Sequence, residues 1–281
     1  KLNEFDKMDN KYVFGAISFD NLDFSLGLDI NSFKIQNTGL TINLANISYV
    51  YKLQFDNDLF FLPAVSLGFG SSSVNPGNLI FEDQLNTTTG FINTESIDRL
   101  APVISNVNYL DLGASFMLHS EKFMAGLTLK HLNKPNTSFN KEVPFEKPIK
   151  ISVQGAYEFN INPYERRYLP RYSYLFAYGS FTKFGDSVLI YLSQDFQLGE
   201  FSLGLSQQAS SLNTFALNNV GVSIGLAVEN FDFGILYNFP FQSPGAVFSP
   251  SIFELFVTFD FSIYRRNRRG QYNRLQTDNY F

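Results

Sequence analysis

Apolar residues at every second position, in segments far too short for a membrane helix, constrain this chain most. The segment Phe231 to Phe239 places Phe231, Phe233, Ile235, Tyr237 and Phe239 on one face of a strand. Asp232, Gly234 and Asn238 fall on the other, with Leu236 the one apolar exception. Phe253, Leu255, Val257, Phe259, Phe261 and Ile263 repeat the pattern in the segment 251–264, as do 22–30, 148–160 and 220–228. Strand side chains alternate between faces, so each segment presents one greasy face and one mostly polar face.

A single strand of this kind fits half of a soluble sandwich. Thirteen such strands need more apolar cover than a sandwich interior provides. The further strands are 11–20, 41–55, 58–70, 107–119, 122–131, 172–183, 187–197 and 200–208. Only 17% of the 281 residues are charged, against 44% hydrophobic; ordinary soluble domains carry about 25% charged residues. No apolar run approaches the roughly 18 residues of a membrane helix. An outer-membrane barrel accounts for both facts, because alternation hides its apolar residues from a hydropathy window.

Local irregularities have expected causes. The apolar parity slips between Leu44 and Ile47, which predicts a bulge. Pro63 inside 58–70 belongs at an edge or a bulge. Strand 187–197 is apolar on both faces from Val188 to Leu192.

Short connections near Asn21, Asp56 to Asp58, Ser120-Glu121, Gly199 and Asn230 alternate with long ones at 32–40, 71–106, 132–147, 209–218 and 242–250. Barrels have short periplasmic turns and longer external loops, so the long set is assigned to the cell exterior. The exceptions are 160–171, a longish periplasmic turn, and 184–186, a tight external one. Thirteen strands counted back from a periplasmic end leave residues 1–10 outside, whereas bacterial barrels have even counts. The expectation is therefore an all-β, transmembrane antiparallel up-and-down β-barrel of about 14 strands. Its first strand lies before residue 1 or comes from a partner. No signal peptide begins at Lys1. The barrel is assigned 1–264, and 265–281 a basic periplasmic C-terminal tail carrying Arg265, Arg266, Arg268, Arg269 and Arg274 against one acid, Asp278.

The residues give little footing for chemistry. His119 and His131 are the two histidines, too few to hold zinc, which takes three or four protein ligands. Cysteine is absent and no Gly-x-Ser-x-Gly elbow occurs. The inward acids Asp23, Asp29, Asp111, Asp232, Glu254 and Asp260 suit a polar lumen, with Lys130 and Lys150 to pair with them. Gly126, Gly155, Gly204, Gly225 and Gly234 ease bending or close approach within strands. No catalytic, cofactor-binding or metal-binding residue is expected, and no cofactor. A net charge of −5 argues against nucleic acid. The loop 71–106 is the best candidate for recognition; its apolar knot Leu79-Ile80-Phe81 fits a plug, a partner contact or plain packing against the barrel rim.

Three stretches carry a resemblance. His131-Leu-Asn-Lys-Pro135, closing a strand that contains Phe123 to Lys130, resembles the His-Leu-Asn-x-Pro signature of the PorP/SprF membrane proteins of type IX secretion in Bacteroidetes. The pairs 187–208 and 220–239 are similar to that family's late hairpins, and Ser251 to Phe261 to its closing strand. The family's opening Asn-Pro-Ala-aromatic segment is absent, and 265–281 runs past its usual end.

The resemblance implies a non-enzymatic component of the bacterial cell outer membrane. It would bind cargo adhesins through their C-terminal domains, and help secrete or anchor them in adhesion and gliding motility. Its partners would be that cargo, the translocon, the periplasmic ring and outer-membrane lipid. The alternative is an outer-membrane transporter for small hydrophobic molecules, which needs an apolar tunnel; inward Phe60, Leu62 and Phe256 are its candidates. A surface enzyme is the third reading, disfavoured by the missing site.

Overall fold

The structure, a computed structural model, describes residues 8–19, 22–36, 38–56, 58–75, 80, 82–85, 92, 96, 106–140, 143–164, 167–170, 173–211, 215–228, 231–241 and 251–259. The strands are β1 (Met8–Phe19), β2 (Phe24–Ile35), β3 (Leu40–Tyr51), β4 (Leu53–Asp56) and β5 (Leu59–Ser73). They continue as β6 (Val107–His119), β7 (Phe123–Lys130), β8 (Lys150–Asn160), β9 (Ser173–Phe184) and β10 (Ser187–Leu198). The last are β11 (Phe201–Ser211), β12 (Phe215–Val228), β13 (Phe231–Pro240) and β14 (Ile252–Phe259).

These are 14 strands in one sheet, each hydrogen-bonded to its sequence neighbours in up-and-down order, with β4 off the path on β5. The all-β antiparallel architecture expected from the alternation is the one observed. The count is composed differently, however. β4 continues β3 after a break at Lys52, so the path from β1 to β14 passes through thirteen strands. Among the described residues no helix is long and apolar enough to cross a membrane, which says nothing of strands.

Contacts divide the chain into two units: residues 1–52, 63–115 and 129–149 in the first, and 53–62, 116–128 and 150–281 in the second. Both have the same inverted distribution of polarity. In the first, Leu26, Leu28, Ile30, Ile47, Val65, Leu67 and Phe69 are exposed, whereas Asn46, Ser72 and Asp111 are buried. In the second, Phe196, Leu203, Ile224, Ile235 and Leu255 are exposed while Ser193, Gln197, Ser206 and Asn219 are buried. Phe60, Tyr109, Ala156 and Tyr174 are the only buried hydrophobic residues described. Water would penalise this arrangement heavily, since apolar area costs roughly 25 cal/mol per Å² left wet. A lipid environment reverses the sign of that term.

Aromatic residues gather at the tight-turn ends. Phe19 stacks on Phe24 and Phe24 on Tyr49, at 4.8 and 5.3 Å between centroids. Phe55, Phe61 and Phe116 form a similar stack in the second unit. Girdles of this kind mark the interfaces of membrane barrels.

Four sequence expectations are corrected. The register of β2 on β3 runs unbroken from Leu40 to Tyr51, so no bulge lies between Leu44 and Ile47. The parity slips because Ile42 and Leu44 are apolar residues on the polar face, opposite Phe33 and Asn31. The pairing of β3 with β5 stops at Val50 and Ala64, next to Pro63, which has no N–H to give the ladder, and the register shifts between Gln54 and Asp56. On the other side of the strand, one position past the Phe24–Tyr51 pair, the Lys52 N–H donates to the Asp23 carbonyl at 2.7 Å. Asp23 itself stands in the β1–β2 turn at φ 52°, not on the inner face of a strand.

The segments 32–40 and 209–218 are mostly strand. β2 ends at Ile35 and β3 begins at Leu40, and β11 reaches Ser211 before β12 begins at Phe215. A register shift between Gln208 and Ala209 leaves Asn218 as the extra residue. Polar residues at a strand end read as loop in the sequence, although their backbone still pairs. The long connections that remain are 74–106, 131–149 and 241–251, all at one end. At the other end, 161–172 is the long turn, held where Asn162 donates to the Pro170 carbonyl and Ser173 Oγ does the same. The tail 265–281 and Asp260 lie outside the described residues.

Candidate functional site

The connection 131–149, described except at residues 141 and 142, starts with the His-Leu-Asn-Lys-Pro stretch. The chain leaves β7 through His131 at φ 62°, a left-handed conformation that non-glycine residues seldom adopt. What holds it there is Asp111 of β6. The His131 backbone N–H donates to Asp111 Oδ1 at 3.0 Å, and its Nδ1 lies 2.8 Å from Oδ2. An ionised carboxylate only accepts, so Nδ1 carries the proton. Both side chains are buried. A carboxylate gripping one residue at two points restrains both backbone and ring.

Asn133 repeats the device on the next turn of chain. Its Oδ1 accepts from the Leu112 N–H at 3.0 Å, and its Nδ2 donates to the Leu110 carbonyl at 2.8 Å. Leu132 N–H reaches the Leu112 carbonyl at 2.9 Å. Asn133 thus supplies β6 with the backbone partners that β7 no longer provides, and Pro135, buried, turns the chain away. From there the connection folds back on itself. Asn136 bridges Glu146, Thr137 N–H donates to the Phe145 carbonyl, and Lys147 N–H to that of Pro135. Val143 and Phe145 are left exposed, at 64% and 61%.

Lys147 returns the connection to the sheet. Its ammonium lies 5.2 Å above the centre of the buried Tyr109 ring and 3.5 Å from the tyrosine hydroxyl. Burial pushes the Lys147 ammonium pKa down, and the Asp111 carboxylate opposes that shift. Tyr109 fits because it lies against Gly70, where a Cβ would collide with its ring. Beside it, Asn46 and Asp111 close over Gly68, and Asn46 Nδ2 donates to Asp29 Oδ1 at 2.8 Å. Asp29, Asn46, Gly68, Asp111 and His131 thus form a polar chain across β2, β3, β5 and β6, ending in the outer connection.

The arrangement is a rigid mount for an exposed hairpin, with no nucleophile–base pair in it. Among the described residues no group of three His, Asp or Glu side chains is placed to hold a metal. His119 is buried at the opposite end of β6, twelve positions along the chain from His131. Lys130 is exposed at the end of β7 and forms no ion pair with the inward acids among the described residues. In 71–106, Ile80 is exposed and Gln84 buried within the short 3-10 turn Glu82–Gln84. Leu79 and Phe81 lie outside the described residues. The mount of His131 was missed in the sequence because Asp111 is twenty residues away.

A transport tunnel for apolar molecules finds little to line it. Phe60 is buried, but Phe256 borders a cavity whose lining is mixed, with Asp195 and four serines beside Leu205, Ile224 and Leu236.

An up-and-down antiparallel sheet with its apolar face exposed, its polar face shielded and three of its four long connections at one end defines a β-sheet membrane protein. Residues 4–259 match the family model of the type IX secretion system membrane protein PorP/SprF, and the chain belongs to that family. It is thus a membrane component of type IX secretion. A comparison with curated proteins returns no match.

Proposed function

We propose that the protein is a non-enzymatic barrel of the bacterial cell outer membrane that binds cargo adhesins through their C-terminal domains and helps to secrete or anchor them. Membership of the PorP/SprF family carries this reading. The ordered hairpin 131–149 supports it by offering an exposed apolar tip, Val143 and Phe145, on a rigid base. Extended cargo segments are well suited to such an edge, where main-chain bonds give affinity and side-chain contacts give specificity. Translocon and periplasmic-ring proteins are the further partners, and adhesion and gliding motility the processes served. The segment 265–281 is read as a basic periplasmic tail outside the barrel domain.

The test is a pull-down of tagged protein from native membranes in detergent. Recovery of a secreted protein, lost on shortening 136–146 to a tight turn, is the expected result. Recovery unchanged by that deletion would contradict the loop assignment. Flux of small apolar solutes through reconstituted liposomes, with no secreted protein recovered, would favour the transporter.

A further inference from the structure

The polar face of the second unit holds a feature that the cargo reading does not use. Along the register, Glu158 of β8 pairs with Phe176, which pairs with Asp195 of β10. Asp195 then pairs with Gly204, Gly204 with Ser223, Ser223 with Leu236 and Leu236 with Glu254. Three carboxylates thus occupy one lateral row across seven strands, and none of the seven residues that form the row is basic. Lys150, on the same face of β8, is eight positions from Glu158.

Glycines let the side chains around this row pack close to the backbone. A Cβ on Gly204 would collide with Asp195 Oδ1 and Ser223 Oγ; one on Gly221 with Asn238 Oδ1 and Ser206 Oγ; one on Gly234 with the Phe256 ring. Without those Cβ atoms, the neighbouring side chains lean over bare backbone. Beside them lies a cavity of about 190 Å³ bordered by Tyr191, Ser193, Asp195, Ser206, Ser223 and Phe256, among others. Tyr191 is hydrogen-bonded to Ser206, and Ser223 Oγ donates to Asp195 Oδ1 at 3.4 Å. Ser193 is different: it is only 8% exposed, lines the cavity, and its hydroxyl has no partner among the described residues. A hydroxyl of this kind can give or take one hydrogen bond with a group bound in the cavity.

The volume is below the roughly 300–1,000 Å³ of sites for drug-sized ligands. It suits one side-chain-sized group. A carboxylate, an aromatic ring and several hydroxyls around one space select a cation with donors to spare, because the ring face and the carboxylate both attract positive charge. Further acids in the same row add to that selection. We propose that this cavity is a binding site for a guanidinium or primary ammonium group on a short aliphatic stem. Asp195 is its charge partner, Phe256 its ring contact, and Ser193 an added acceptor. A free small amine and the arginine or lysine side chain of a peptide share this chemistry.

The test uses the full-length protein in detergent micelles and two probes, agmatine and the tripeptide Gly-Arg-Gly, by titration calorimetry. Glucose is the neutral comparison. Binding of either cation, weakened tenfold or more by Asp195→Asn and severalfold by Phe256→Leu, is expected, with Asp186→Asn in the exposed β9–β10 turn unchanged. Agmatine alone binding identifies a small-molecule site, and the tripeptide binding as well or better identifies a peptide side chain. Strand content by circular dichroism checks that each variant is folded. No binding of either cation to the unaltered protein, equal affinity in folded Asp195→Asn, or tighter binding of glucose overturns the proposal.

Discussion

Arginine at Ile235 should cost the membrane-inserted protein about 2–4 kcal/mol. Ile235 is the fifth of the ten residues of β13 and is 47% exposed. It pairs with Ile224 on one side and Leu255 on the other, both exposed. Ten residues at about 3.3 Å each, tilted by about 40°, span about 25 Å, the height of the apolar band of a membrane barrel. The midpoint of the strand therefore lies near the bilayer centre, where a guanidinium is farthest from water. Phe239 is next to the end of the same strand and 50% exposed, so arginine there should cost only about 0–1 kcal/mol. The assay is reversible unfolding by denaturant in phospholipid vesicles, comparing both variants with the unaltered protein. Leu255→Arg, mid-strand in β14, should follow Ile235→Arg. Equal costs at Ile235 and Phe239, or no measurable cost at Ile235, would refute the reasoning, because a face in water does not distinguish depth.

Asp111→Ala removes the acceptor of two bonds to His131 and should lower stability by about 1.5–3 kcal/mol; faster tryptic cleavage within 131–149 would locate the loss there. Lys147 has a folded-state pKa below its ordinary value, so the folded protein releases that proton first. Its contribution to stability is fully present above the unfolded pKa and is lost as pH falls through the folded one. Denaturant midpoints measured between about pH 8 and 11 should therefore show a rise that Lys147→Met lacks. Gly234→Ala drives a methyl group into the Phe256 ring and should cost about 1–3 kcal/mol. Phe256→Leu in the same chain should recover part of that loss in a thermal melt.

Strand existence and facing were legible because alternation is a local signal. β12 and β13 run as Val220 to Phe239 was read, with Val222, Ile224 and Ile235 outward. Strand ends were not legible, since Asn31, Ser32, Ser210 and Ser211 look like loop while their backbone pairs across the sheet. The glycines were expected to permit close approach, and at Gly204 and Gly234 they do. Which side chain approaches depends on register, and register joins residues far apart in sequence. The same holds for the candidate site. The His131–Pro135 stretch stood out as a motif, yet its anchor, Asp111, and its cover, Lys147 over Tyr109, are set by strand pairing and by the hairpin's return.

The absence of cysteine allows a nitroxide to be placed at one position at a time along β13. Collision rates of each label with oxygen, which concentrates in lipid, and with a water-soluble nickel chelate then read the two faces directly. Labels at Phe233, Ile235 and Tyr237 should favour oxygen, most strongly at Ile235, while labels at Asp232, Leu236 and Asn238 should not. Equal access of the nickel chelate to both sets, or oxygen preference at the even positions, would contradict a sheet whose apolar face meets lipid.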